Sequence, residues 1–373
     1  MQGRGVLAGI RSGFAALVLG CSLVLAGAPS FALAADKPVT FLFTSDIHAC
    51  LVSGDLLSPN CEAEGKTDAA LLRHVHLLNA LEDQSWPGRI DGKPTGLKDA
   101  GKRIGKVRAL VLGGDLTDDG GGQIKVPGEG RQLQQFASRY SEGPGEDRLH
   151  FPVYLGLGNH DLDQDGAPPN RDWYRREMRD YVEMTHRSTV FYKAPAPAEN
   201  YDVASDCYSF EFGGVHLVQL ERFGGDAGHG AISCLGWLSD DLRNFAGNGK
   251  PVIIFQHYGW DSFSTEAWNP ALHRFDGMGT GKPHWWSEAE RTALLAALKP
   301  YNVVGLFHGH EHDVPMIYRQ EGIDMFKPVA AFRGGFAVVR IGKGLMEVAL
   351  GQFADDRGGV KFTHAFSKVL PAH

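Results

Sequence analysis

The 373-residue chain is short of positive charge: 37 Lys and Arg stand against 44 Asp and Glu, a formal net charge of −7. Non-specific nucleic-acid binding needs a basic footprint, so that class is excluded and no nucleic acid polymer is expected as a partner. Long apolar runs are equally scarce. One stretch, Gly13 to Ala28, is too short and alanine-rich for a stable membrane span, and no later segment approaches the roughly 20 apolar residues a spanning helix needs. No internal repeat is apparent. Only five cysteines occur, and at this length a domain buries about 75% of its unfolded surface, so folding requires no staple. Glycine is the exception. Its 48 residues far exceed the usual share of about 7%, which implies many tight turns and argues against a coiled coil or helical bundle.

Arg4 and Arg11 are the only charges before Asp36, and Ala32-Leu33-Ala34 follows the apolar stretch. That order reads as a signal peptide over residues 1–34, cut after Ala34, which leaves 35–373 as a single domain in the periplasm or outside the cell. An uncleaved anchor is the alternative. Val18-Leu19-Gly20-Cys21 loosely resembles a lipobox, but Leu19 is bulky and the apolar run continues past Cys21. Export leaves Cys50, Cys61, Cys207 and Cys234, an even number in a disulfide-permissive place. Proximity favours Cys50–Cys61 and Cys207–Cys234 among the three pairings; four buried thiols are the other reading.

Apolar β-rich runs recur at Val39–Phe43, Val107–Leu112, Val153–Leu157, Tyr208–Phe212, Val215–Leu220, Val252–Phe255, Val303–Phe307, Phe336–Ile341 and Met346–Leu350. Helical periodicity marks Asp68–Leu81, Arg131–Tyr140, Asp172–Thr185, Leu235–Phe245 and Ser287–Leu298. This alternation predicts an α/β layered architecture, with a hairpin over Gly213-Gly214 making the sheets mixed. Glycine, proline and charge cluster at Pro87–Lys106, Gly120–Gly130 and Ser141–Arg148, which read as surface excursions.

Metal-ligand residue types follow five of these runs. Asp46-Ile47-His48 comes after the first, Gly113-Gly114-Asp115 after the second and Gly158-Asn159-His160-Asp161 after the third. Gln256-His257 and His308-Gly309-His310-Glu311-His312 follow the two late ones. Ligands of open α/β sheets gather outside the carboxyl ends of strands. Alternate residues of an extended segment share a face, so Asp46 and His48 can reach one ion, and His310 and His312 can do likewise if the backbone bends between two ions. Each motif alone is weak; five in one order are not.

In this pattern the sequence resembles the calcineurin-like metallophosphoesterases, whose motifs run D-x-H, G-D, G-N-H-[DE], H and G-H-x-H. The resemblance covers Phe41 to about Ile341 and implies two mixed β-sheets packed as a sandwich flanked by α-helices. It further implies two transition-metal ions: Asp46, His48 and His312 on one, Asn159, His257 and His310 on the other, Asp115 bridging. Mixed nitrogen and oxygen ligation suits Zn, Mn or Fe. The implied reaction is hydroxide attack on phosphorus, with His160 as general acid and Asp161 orienting its ring. A non-catalytic metal-binding scaffold is the alternative. The tyrosine that follows G-D in purple acid phosphatases is missing from Asp115-Leu116-Thr117-Asp118, and the 61 residues after His312 are too few for the C-terminal domain of exported 5′-nucleotidases. Asp118 and Asp119 read as turn formers, His74 and His76 as structural.

The partner expected is a small-molecule phosphoester. Trp260, Trp268, Trp285 and Trp286 fall between His257 and His310 with Tyr258, Phe263 and Phe275, and are expected either to overhang the site as a platform for an aromatic or lipid leaving group or to pack on themselves. Trp260 and Arg333, before Gly334-Gly335, are the candidate substrate contacts. Nothing here signals an oligomeric state.

Overall fold

The strand Val39–Thr44 is buried from Thr40 onward on both faces, as expected of a central strand covered on each side. Phe41 and Phe43 share one face and meet Phe255 at ring-centroid distances of 6.1 and 5.7 Å; Phe43 also meets Phe307 at 5.3 Å. These contacts join two sheets. The computed structural model describes residues 38–370 apart from 54–55, 58–60, 119, 121–130, 163–169, 229, 262–267, 273, 276–285, 343, 356 and 358. The signal peptide expected over residues 1–34 lies outside the described residues.

One sheet has six strands, in the order Val360–Val369, Leu345–Phe353, Phe336–Gly342, Val39–Thr44, Val107–Leu112, Val153–Tyr154. The other has seven: Met316–Gln320, Ile323–Lys327, Val303–Phe307, Val252–Phe255, Val215–Gln219, Tyr208–Phe212, Asn200–Tyr201. Both are mixed. Val39–Thr44, Val107–Leu112 and Val153–Tyr154 run parallel, as do the four strands from Val215–Gln219 to Ile323–Lys327. The expected α/β sandwich is therefore present, and the motif-bearing loops leave parallel strands at their carboxyl ends.

Five helices lie where periodicity placed them, at Asp68–Ala80, Arg131–Tyr140, Asn170–His186, Leu235–Phe245 and Glu288–Leu298. Local chemistry starts two of them. Thr67 accepts the Ala70 N–H at 3.2 Å, and Ser287 with Glu290 forms a reciprocal capping box. The hairpin at Gly213-Gly214 also forms, with φ of 57° and 77°. Both nearest-neighbour cysteine pairs are bonded, Cys50–Cys61 and Cys207–Cys234.

Several strands differ from expectation. Val153–Leu157 pairs only over Val153–Tyr154, because the Leu155 N–H goes to His186 Nε2 (2.9 Å) and the Leu157 N–H to Glu221 Oε2 (2.5 Å) rather than to a neighbouring strand. The hairpin Met316–Gln320 with Ile323–Lys327 has no uniform apolar run, since Arg319, Asp324 and Lys327 interrupt it, yet it closes over Glu321-Gly322 at φ 48° and 87°. Val360–Val369 lies at a sheet edge, half-buried, and so carries little apolar signal.

Two buried histidines hold the layers as neutral rings. His74 places Nδ1 2.7 Å from the Tyr140 hydroxyl and donates from Nε2 to the Gly335 carbonyl at 3.0 Å. His186 donates from Nδ1 to the Ala196 carbonyl (2.7 Å), while Nε2 accepts from Leu155. Burial pulls both down to about 3. In the unfolded chain they protonate near 6.5, so the unfolded state takes up protons first and stability is lost as pH falls from about 6.5 toward 3. Urea unfolding between pH 6 and 4 should show this decline. His74→Gln should flatten the slope by up to about one proton, and an unchanged slope would mean His74 titrates normally.

Candidate metal centre and active site

The loop after Val39–Thr44 is stitched to the loop after Val107–Leu112. The Asp46 N–H reaches the Gly114 carbonyl (3.0 Å), and the Ile47 and His48 N–H groups share the Asp115 carbonyl at 2.9 and 3.0 Å. This places Asp46, His48 and Asp115 side by side, at a cost. Eight described non-glycine residues have positive φ, and four of them are Asp46 (60°), His48 (50°), Asp115 (51°) and His310 (75°). Such left-handed conformations are costly for residues with a Cβ and concentrate where the surroundings over-determine them. Two glycines allow the approach: a Cβ on Gly158 would land on the Asp115 carboxylate, and one on Gly309 on Ser45 and Asp46.

Hydrogen bonds orient the rings. His257 Nδ1 lies 3.0 Å from the Gly113 carbonyl, which can only accept, so Nδ1 carries a proton. Nε2 then faces Asp115 Oδ2 at 3.0 Å and Asn159 Oδ1 at 3.1 Å. His48 Nδ1 meets Asp118 Oδ1 at 3.0 Å, which turns Nε2 toward His312 Nε2 (3.1 Å) and Asp115 Oδ2 (3.6 Å). Asp46 Oδ1 sits 3.5 Å from His312 Nε2 and 4.0 Å from His257 Nε2, and the His310 N–H bonds its carboxylate. Two ligand groups result, Asp46–His48–Asp115–His312 and Asp115–His257–His310, each with donor atoms within 4.8 Å of one another. Asp115 belongs to both.

Protons alone serve this cluster poorly. Burial and the neighbouring His160 hold His48 well below its ordinary value, and burial with His257 does the same to His310. Burial opposes charge on His257 too, but Asp115 outweighs it and pulls the ring up to about 9. Burial also works against the Asp115 carboxylate, which the facing histidines nevertheless keep well below the carboxylate range. Convergent nitrogen and oxygen donors around a shared carboxylate are what a pair of cations requires, and these residues fit one.

The sequence profile of the calcineurin-like phosphoesterases matches residues 39–314, which contain all seven ligand positions. The chain belongs to this family. Among solved structures it is similar to a dimetal phosphatase from Danio rerio, at 14% identity and a TM-score of 0.52 over 89% of this chain and 99% of that one. The calcineurin-like phosphoesterase YfkN from Bacillus subtilis matches at 12% identity and a TM-score of 0.39, over 90% and 91% of the two chains. No curated protein sequence matches the chain.

Within this calcineurin-like phosphoesterase site, several assigned roles change. The His160 N–H bonds Asp115 Oδ1 (2.9 Å), and its ring Nδ1 lies 2.6 Å from the Asp118 carbonyl, leaving Nε2 as the other nitrogen. The ring is thus oriented by Asp118, not by Asp161 as expected. Asp161 instead accepts from the Leu116, Thr117 and Gly158 N–H groups and the Thr117 hydroxyl at 2.8–3.1 Å, tying the Asp115 loop to the Asn159 loop. Asp118 is more than a turn former: besides His48 it binds Lys66 Nζ at 2.9 Å. Its position three residues after Asp115 was the available signal, masked by the glycine run beyond. Asp119 lies outside the described residues.

Trp260 does not overhang the metals. It is buried, with its ring edge-on to Trp286 at 4.8 Å, because an indole this apolar gains more from the core than from water. Trp268 is half-buried against Phe275 and Tyr318, while Phe263 and Trp285 lie outside the described residues. Arg333 is half exposed, paired with Asp313 at 2.7 Å, and lies over Phe332, whose ring is edge-on to His48 and His312. His74 is structural, as expected; His76 is exposed beside Asp147.

Asp115→Asn should abolish binding of both ions by elemental analysis, while Asp118→Asn should weaken affinity about 10–100-fold through His48. Full metal content in Asp115→Asn would remove the bridging assignment.

Proposed function

We propose that the protein is an exported, dimetal-dependent phosphoester hydrolase acting on a small-molecule substrate. The observation that carries this is Asp115 standing between two ligand groups. Asp46, His48 and His312 would hold one ion with Asp115; Asn159, His257 and His310 would hold the other. The imidazole and oxygen donors suit Zn, Mn or Fe. Cations held there would supply Lewis acidity for a phosphoryl group and for an attacking water.

The chain's own side chains do the rest. His160, fixed through Nδ1, holds at Nε2 the proton that the departing oxygen takes. Asp118 and Lys66 keep His48 facing inward. Arg333, beside Phe332 at the edge of the site, offers a guanidinium to a substrate phosphate. With Trp260 and Trp286 in the core, their indoles lend no support to an aromatic or lipid leaving group.

Turnover of bis(p-nitrophenyl) phosphate and p-nitrophenyl phosphate, with and without chelator, tests the reading and separates diester from monoester preference. Activity should vanish with chelator, and chelator-resistant turnover would refute it. In the same assay His160→Ala should keep its metals yet lose roughly 10²–10⁴-fold in kcat, whereas Arg333→Ala should act mainly on KM. A His160→Ala enzyme of full rate would refute the general-acid role.

Export is supported by the leader pattern and by two disulfides, which persist in oxidising compartments. N-terminal sequencing of protein recovered from outside the cytoplasm should begin at Ala35; an intact Met1 would contradict cleavage.

A further inference from the structure

A second concavity lies away from the metal ligands. It is a groove of about 1200 Å³ between the Glu288–Leu298 helix and the Gln320–Ile323 turn, with Trp260 and Phe275 on its wall. Arg291, one helical turn from the capped start, lines it with only 4% exposure. Its guanidinium carbon lies 5.7 Å from the Trp260 ring and 5.4 Å from the Trp286 ring, and among the described residues its Nε has no hydrogen-bond partner. The Trp286 indole N–H is used elsewhere, donating to the Gly259 carbonyl at 2.8 Å, so that ring offers Arg291 only its π system.

A buried cation without an anion is costly, since stacking on aromatic faces replaces only part of its lost hydration. The nearest acids do not pair with it. Asp261 is bound to Lys327, and Glu288 is exposed, with no bond to Arg291 among the described residues. Among the described residues that line the groove, three cations, Arg274, Arg291 and Lys299, stand against two acids, Glu288 and Glu321. Burial pushes its proton affinity down, and Tyr318, Asp261 and Glu288 offset this only in part; an incoming anion would offset it further.

We propose that this groove is a binding site for an organic anion with an aromatic or apolar body, whose acidic group pairs with Arg291. Trp260, Phe275, Leu295 and Ile323 line the groove and supply contact for the body, and the volume exceeds that of ordinary small-ligand pockets, so an extended ligand fits. The site stands independently of the hydrolytic centre.

Anilinonaphthalene sulfonate is a suitable probe, titrated into the metal-loaded protein while dye emission and tryptophan quenching are followed. Saturable binding is expected. Arg291→Met should weaken it at least about tenfold, the loss for one charged hydrogen bond, without lowering Tm, because it removes a buried unpaired charge. Thr292→Glu, an exposed change on the groove wall, should also weaken it and covers the case in which Arg291→Met fails to fold. Binding should persist in Asp115→Asn. Unchanged affinity in Thr292→Glu and in a folded Arg291→Met, loss in Asp115→Asn, or no saturable binding to the native protein would overturn the proposal.

Discussion

The structure depends on a crowding of electron pairs around one carboxylate. Asp115 is fully buried and faces His257 and His48, while Asp46 and His312 close the same space. Backbone carbonyls and Asp118 claim the outer nitrogens of these rings, so the inner nitrogens have nowhere to turn. Such a cluster is stable only around positive charge. Every feature near it is arranged to keep the donors aimed inward despite that requirement.

Holding them there is expensive, and the cost is distributed through the sandwich. Four candidate ligands sit at left-handed backbone angles, each at a point where a loop leaves a buried parallel strand. Those strands are anchored by phenylalanines crossing between the sheets, so the loop ends cannot relax without opening the core. The two loops carrying Asp46 and Asp115 are also sewn together by backbone hydrogen bonds, and the Asp161 carboxylate adds the third loop by accepting three hydrogen bonds from Leu116 and Thr117. Strain at the centre is thus borne by interactions outside it.

A second ring of residues adds control of orientation. The Cys50–Cys61 bond joins the chain just past His48 to the segment that ends in Lys66, and Lys66 in turn holds Asp118 against His48. Asp118 thereby serves two rings at once, His48 through its carboxylate and His160 through its carbonyl. Trp260 and Trp286 are instead buried in the core and stack on Arg291, where Trp260 lines a groove apart from the ligand cluster.

The sequence by itself determined the layered α/β fold, because buried parallel strands are continuous apolar runs, and the motifs directly after those strands carried the resemblance that implies seven candidate ligands. Proximity favoured both cysteine pairings, and the tertiary structure chose them over free thiols. What it could not show were relations between distant loops. Asp118 looks like any turn aspartate until His48, seventy residues earlier, is folded against it. Asp161 follows His160 in the chain, yet its carboxylate turns to backbone amides. Trp260 follows a ligand by three residues but points into the core. Helices, strands and pairs of neighbours are local and leave periodic traces. The direction of a side chain at a loop, and the partner it meets there, depends on segments far away in sequence, and only the assembled sandwich decides it.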